Sequence, residues 1–177
     1  VVVDTEILDA KSNNFLMAFY LWKDRYGIAH LDISTGTFRV TESRQVDAVL
    51  DECSRIEPRE MLVADSQREE PQVRALMDRF DQTSVSFLKD ESFGLDSAQT
   101  RLLSQFKTHS LEGFGCHEMK AGLGAAGALL HYVAETQKQS VQHFHAIETY
   151  SLDHHLVIDH LSRQNLELEK NIRSGSK

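Results

Sequence analysis

Apolar and polar positions along this chain change rhythm partway through. Residues 14–22, 26–33 and 37–41 form continuous or alternating apolar runs rich in aromatic and β-branched types, so they are predicted as three strands. The break Ser34-Thr35-Gly36 has hairpin length and puts glycine where a three-residue loop needs positive φ. The second and third strands are therefore expected to be antiparallel neighbours. After Ser43, a predicted N-cap, Val46, Val49, Leu50, Cys53 and Ile56 recur at helical spacing, and Pro58 follows the stripe. Met61 to Ala64 is a short apolar run, Val73, Leu76, Met77 and Phe80 form a second helical stripe, and residues 83–88 read as another strand. The rhythm is now β-α-β-α-β, which pairs strands in parallel through right-handed crossovers. The expected fold class is α/β: a mixed sheet of about five strands with flanking helices, in the element order of a ribonuclease-H-like sheet.

A third stripe, Ala98, Leu102, Leu103 and Phe106, leads to the turn Gly113-Phe114-Gly115 and then to a helix predicted over residues 122–138. Its start, GLGAAGALL, is rich in small residues, which lets another backbone approach closely in spite of the propensity cost of internal glycines. This helix is expected to lie flat on the sheet. Beyond the polar stretch QKQSVQ, residues 144–158 suggest extended pieces, and Leu161, Leu166 and Leu168 mark a final helix. Residues 1–140 are expected to form one domain and 141–177 the start of a second, mainly helical one.

Composition narrows the class. The chain has 177 residues, 41% of them apolar, enough for one core with a partial second unit. No apolar run is long enough to span a bilayer, and the opening VVVDTEILDA lacks the parts of a secretory signal, so a cytoplasmic location is expected. Cys53 and Cys116 lie far apart, which indicates neither a disulfide framework nor a CxxC metal clip. Lys and Arg total 19 against 27 Asp and Glu, a formal charge of -8. A module that holds nucleic acid on its own normally carries a basic face, so autonomous DNA binding is disfavoured. The chain opens without Met and stops just after a helical pattern, as a piece of a longer polypeptide would.

Candidate chemistry is sparse. His143, His145, His154, His155 and His160 cluster late with Asp153 and Asp159, but neither HExxH nor a Cys/His quartet is present, so no metal site is expected. A ribonuclease-H-like sheet raises the alternative of metal-dependent phosphodiester cleavage, which requires several carboxylates converging on strand ends. Asp32 is the strand candidate, while Asp4, Glu52, Asp90 and Asp96 fall on loops or helices with no pattern that brings them to it. Asp32 is more simply an anchor that bonds the backbone of the turn after it. No GxxxxGK[ST] segment occurs, and Gly122, Gly124 and Gly127 mimic a loose GxGxxG inside a helical pattern, where close packing explains them better. No GxSxG context and no recognised Cys–His arrangement is found, and no catalytic residue and no cofactor are expected in this chain.

Several ordered blocks carry a resemblance. The run NFLMAFYL from Asn14 and YGIAHLDISTGTFRVTE after it are similar to the connector domain of the MutS family, where an LDISTG strand end followed by an FRV-like strand recurs. LEGFG at Leu111 to Gly115 and AAGALLHYVAETQK at Ala125 to Lys138 resemble the connector helix of that family. LVIDHLSRQNLELEKNIRSGSK resembles the opening helix of its core domain, with a departure at Asp159-His160-Leu161-Ser162.

The resemblance implies a non-catalytic connector domain, residues 1–140, followed at 141–177 by the start of the core domain. The parent would be a homodimeric ATPase that uses ATP and Mg, clamps mismatched DNA and recruits a MutL-type partner. Its ATPase and mismatch-reading domains would lie outside this chain. A connector that moves requires hinges, for which residues 4–13 and 137–142 are the candidates, and a surface whose exposure differs between two states. For the partner surface the start of the third helix, Gln99, Thr100 and Arg101, resembles in position the family region associated with MutL contact, without a strict family motif, and Arg101 offers a bidentate donor suited to an interface. A competing reading, weak DNA binding, would draw on Arg163, Lys170, Arg173 and Lys177.

Overall fold

The computed structural model describes residues 14–152. Strands β1 (Phe15–Trp22), β2 (Arg25–Asp32) and β3 (Thr37–Ser43) form an antiparallel meander. Phe15 lies opposite Asp32 and Trp22 opposite Arg25, while Tyr26 lies opposite Ser43 on the next ladder. The turn between β2 and β3 is built as its sequence implies. Gly36 sits at φ 75°, and its N–H donates to the Asp32 carbonyl at 2.9 Å. The Asp32 carboxylate accepts the Ser34 N–H at 2.8 Å and the Ser34 hydroxyl at 2.6 Å, so this side chain stabilises the turn.

Two crossovers follow. Helix α1 (Val46–Ile56) leads to β4 (Glu60–Ala64), which pairs in parallel with β1, and helix α2 (Pro71–Arg79) leads to β5 (Ser84–Leu88), parallel to β4. Helices α3 (Leu95–Phe106) and α4 (Ala121–Thr136) complete the domain. Strand alternation assigns the layers: Leu16, Ala18, Leu31, Val40 and Leu62 pack with α3 and α4, whereas Met17, Phe19, Ile28, Met61 and Val63 pack with α1 and α2. With helices on both faces, β1 and β4 must be apolar on both sides, which is why they read as continuous apolar runs.

The sheet carries a sixth strand beyond the five expected. Strand β6 (Glu148–Thr149) lies parallel to β3, in the order β5-β4-β1-β2-β3-β6. Two residues are too few for an alternating pattern to register, and the open edge of β3 supplies the pairing. Ser43 is not the cap of α1: it is the last residue of β3, and its hydroxyl accepts the N–H of Gln45, which itself precedes the helix. The described part of the second expected unit packs on the first, with Phe144 and Ile147 buried under α3 and α4 and Leu152 in the opposite core. The final helix with Leu161, Leu166 and Leu168, the extended piece at 156–158, the hinge candidate 4–13 and the cations Arg163, Lys170, Arg173 and Lys177 lie outside the described residues.

The glycine-rich start of α4 explains its placement. A Cβ on Gly27 of β2 would stand 2.1 Å from the Ala121 carbonyl carbon, and one on Gly127 would stand 2.3 Å from the Ala98 Cβ. Helix and sheet touch backbone to backbone at the first point, and α3 and α4 meet at the second. No residue of its own caps α4. Glu42 of β3 reaches across instead, accepting the N–H groups of Lys120 at 3.1 Å and Gly122 at 3.0 Å, while Arg25 lies 3.3 Å from the same carboxylate. An anion at a helix N-terminus satisfies orphan donors and opposes the dipole, so this contact fastens α4 to the sheet edge.

A candidate docking groove and a clamped last strand

Gly94 precedes helix α3 as its N-cap residue, and the Ser97 hydroxyl donates to the Gly94 carbonyl at 3.0 Å. Ala98 and Leu102 are buried, so the helical period turns Gln99 and Thr100 outward. The three residues proposed from sequence then part company. Gln99 is exposed, Thr100 donates its hydroxyl to the Asp96 carbonyl at 2.9 Å, and Arg101 donates through Nη1 to the Ser92 carbonyl at 3.0 Å. That last bond ties the helix to the single turn of 3-10 helix at Asp90–Phe93. Thr100 and Arg101, but not Gln99, line a groove of about 790 Å³ between α3, α4 and the turn around Val141 to His145.

Leu130, Ala134, Val141 and Phe144 give the groove an apolar floor, with Lys107, His131 and His145 among its polar walls. Gln105 holds the third wall in place: its Nε2 donates to the carbonyls of Val141 at 2.7 Å and Phe144 at 2.9 Å. The hinge candidate 137–142 is thereby tethered at its C-terminal end. Sequence reasoning missed Gln105, Lys107 and His131 because the groove draws on three separated segments, none carrying a motif.

On the opposite face of the sheet a polar network clamps β6 and the residues after it. The Tyr150 N–H donates to the Val40 carbonyl at 3.1 Å and its hydroxyl to Glu52 Oε1 at 2.8 Å. Arg55 binds the same carboxylate through Nε at 2.9 Å and Nη2 at 2.5 Å, and the Arg39 guanidinium lies 4.2 Å from the Tyr150 ring centroid. Burial alone would raise the Glu52 carboxyl, but the Arg55 and Tyr150 hydrogen bonds outweigh it and hold the group below the usual range. From the α3 and α4 side of the sheet, the Thr149 hydroxyl adds a bond to the Phe114 carbonyl at 2.8 Å.

His30 sits inside this network, between the rings of Phe15 and Tyr150 at 5.5 and 6.0 Å, with its Nδ1 unpartnered. Burial first, then the charge of Arg39, lowers its pKa from 6.5 to about 4. The unfolded chain therefore takes up a proton between these values that the folded chain refuses, so stability falls as pH drops through that window. The native chain is expected to lose about 2 kcal/mol between pH 7 and pH 5 through this residue, and His30→Phe to remove that loss. Urea midpoints of both chains at the two pH values check it.

Of the acidic residues weighed for nuclease chemistry, Asp4 lies outside the described residues and the other four are not brought together. Asp32 serves the β2–β3 turn, Glu52 binds Arg55 and Tyr150, Asp90 accepts the Ser66 N–H at 3.1 Å, and Asp96 lies in the first turn of α3. Among the described residues no group of three or more His, Cys, Asp or Glu side chains is placed to hold a metal ion. Among the same residues no helix is long and apolar enough to cross a membrane.

Fold and site define a class: an α/β domain of three layers whose polar side chains serve turns, caps and clamps, with a preformed groove beside an exposed helix face. Residues 14–145 match the family model of MutS domain II. The chain is 42% identical over 182 residues to the DNA mismatch repair protein MutS of Desulforapulum autotrophicum, covering all of this chain and 20% of that protein. It is 41% identical over 175 residues to the MutS of Desulfatibacillum aliphaticivorans, covering 99% and 20%, and 38% identical over 186 residues to that of a Synechocystis strain, covering 99% and 21%. The chain belongs to the MutS family of DNA mismatch repair proteins and corresponds to domain II, which is not the ATPase domain. It spans about a fifth of the length of the curated relatives it matches.

Proposed function

We propose that this domain is the connector of a MutS-type mismatch-recognition protein, linking the mismatch-binding part to the core and offering the outer face of α3 to a MutL-type partner. The observation that carries this reading is the contrast between an exposed helix face and a clamped strand. Gln99 and Thr100 stand exposed beside a preformed groove, while β6 and Tyr150 are clamped by hydrogen bonds from three elements. A linking domain passes on a displacement only if deforming it costs more than moving it, and the clamp at Tyr150 supplies that stiffness. A partner that docks on α3 then biases whichever state of the longer protein exposes this face, because a ligand shifts an equilibrium by its differential affinity alone.

The strand order, with β2 antiparallel between β1 and β3, supports the ribonuclease-H-like reading of the scaffold. Its nuclease chemistry is not favoured, since the carboxylates that chemistry requires are engaged elsewhere. ATP and Mg belong to other domains of the longer protein, which acts as a homodimer on mismatched DNA in the cytoplasm. The net charge of -8 is consistent with this domain leaving DNA to them.

The test is a pull-down with a MutL-type protein, comparing the native chain with one carrying Gln99→Ala, Thr100→Ala and Arg101→Glu. Binding by the native chain and at least about tenfold weaker capture by a variant with an unchanged unfolding transition is the expected result, the size of one or two lost interface hydrogen bonds to a charged group. Equal capture moves the interface off α3.

A further inference from the structure

The groove between α3 and α4 has a charge opposite to that of the molecule around it. The chain holds 27 Asp and Glu against 19 Lys and Arg, yet among the described residues no carboxylate lines the groove, and its walls present Arg101, Lys107, His131 and His145. Its floor is apolar, with Ala134 and Val141 half-buried above the buried Leu130 and Phe144. We propose that this groove seats an acidic peptide segment of the partner protein, one apolar side chain of which rests over Ala134 and Val141 while flanking carboxylates pair with Arg101 and Lys107. The inference rests on the partner-docking reading of α3 and adds the chemistry of the segment that docks.

Three features of the groove suit such an occupant. Arg101 is already oriented, because Nη1 is held by the Ser92 carbonyl at 3.0 Å, and the rest of its planar fork is left to grip a carboxylate bidentately. Lys107, exposed at the C-terminal end of α3, adds a second cation. Gln105 fixes the carbonyls of Val141 and Phe144, so binding has little ordering of the third wall to accomplish. Nucleic acid is the poorer fit. A polyanion gains affinity from many phosphate contacts along a basic face, whereas this site pairs two formal cations with an apolar floor in a chain of charge -8.

The experiment uses a fluorescein-labelled peptide in which one phenylalanine sits between runs of glutamate, its counterpart with glutamine for every glutamate, and labelled single-stranded DNA. Anisotropy is read with the native chain, with Lys107→Glu/His145→Glu, which reverses the charge of Lys107 and adds a carboxylate at the exposed position 145, and with Arg74→Glu/Lys89→Glu, which reverses two charges away from the groove. The proposal expects the glutamate peptide to bind best and to lose about tenfold or more with the groove variant alone, the scale of a broken interfacial charge pair. Glutamate and glutamine peptides binding alike, or both variants losing equally, would overturn it, and so would DNA that binds and is displaced only by the groove change. If the MutL-type partner is captured by the native and groove-variant chains alike while no peptide binds, the acidic seat fails and the α3 docking reading stands. Loss of capture by the α3 triple variant and by the groove variant together, with peptide binding present, supports both.

Discussion

Gly27→Ala is expected to abolish the cooperative unfolding transition of this domain. A Cβ there would lie 2.1 Å from the Ala121 carbonyl carbon and 2.3 Å from the Gly122 nitrogen, and backbone atoms cannot rotate aside as a side chain can. To admit one methyl group, α4 must lift from the sheet. That uncovers Leu123, Ala126, Leu129, Leu130 and Val133 and breaks the Glu42 cap on the Lys120 and Gly122 N–H groups. A fully buried leucine or valine is worth roughly 1.5–3 kcal/mol, so losing several together is comparable to the whole stability of an ordinary domain. Gly113→Ala is the matching control, since nothing lies within 4 Å of a Cβ at that position, and it should leave the transition in place. Circular dichroism during urea unfolding separates the two. A cooperative Gly27→Ala chain with a native-like midpoint would show that α4 does not contact β2 as described.

Phe144→Ala is expected to cost about 3–5 kcal/mol, the range for removing a large aromatic side chain from a core. Phe144 is fully buried, with its ring edge-on to Phe38 at 5.8 Å. The consequence for function should be distinct from the loss of stability. Phe144 supports the groove floor from beneath, and its carbonyl is one of two acceptors that Gln105 holds, so the turn at 140–145 loses both its anchor and its register with α3. Partner capture is expected to weaken even under conditions where the variant remains folded. Phe144→Leu, which keeps most of the buried volume, should restore both properties in large part. Unfolding midpoints together with the pull-down distinguish this from a purely structural role, in which capture would follow the folded fraction alone.

The elements themselves were legible because each carries a pattern longer than one turn or one pleat. Residues 14–22, 26–33 and 37–41 were expected as strands and lie within one or two residues of β1, β2 and β3, and the stripe Val46, Val49, Leu50, Cys53, Ile56 falls wholly within α1. Gly36 and Asp32 were readable for the same reason: the geometry of a short turn is local, so the residues that satisfy it are neighbours in sequence. The small-residue run of α4 announced a close approach, although not that Gly27 and Ala98 are what it approaches.

What pattern could not supply lies where distant segments meet. The Glu42 cap spans from β3 to α4, the Tyr150–Glu52 bond from the end of the chain described to α1, and the Gln105 bonds from α3 to the turn after α4. Each joins residues tens of positions apart. Residue types along the chain therefore settled the strands, the helices, the layered α/β class, the acidic charge and the family resemblance, because local periodicity and turn chemistry act over a few residues. The sixth strand, the cap borrowed from another element, the depressed His30 and the cation-lined groove arise when the folded layers bring separated side chains within a few ångströms, a proximity that no spacing along the chain records.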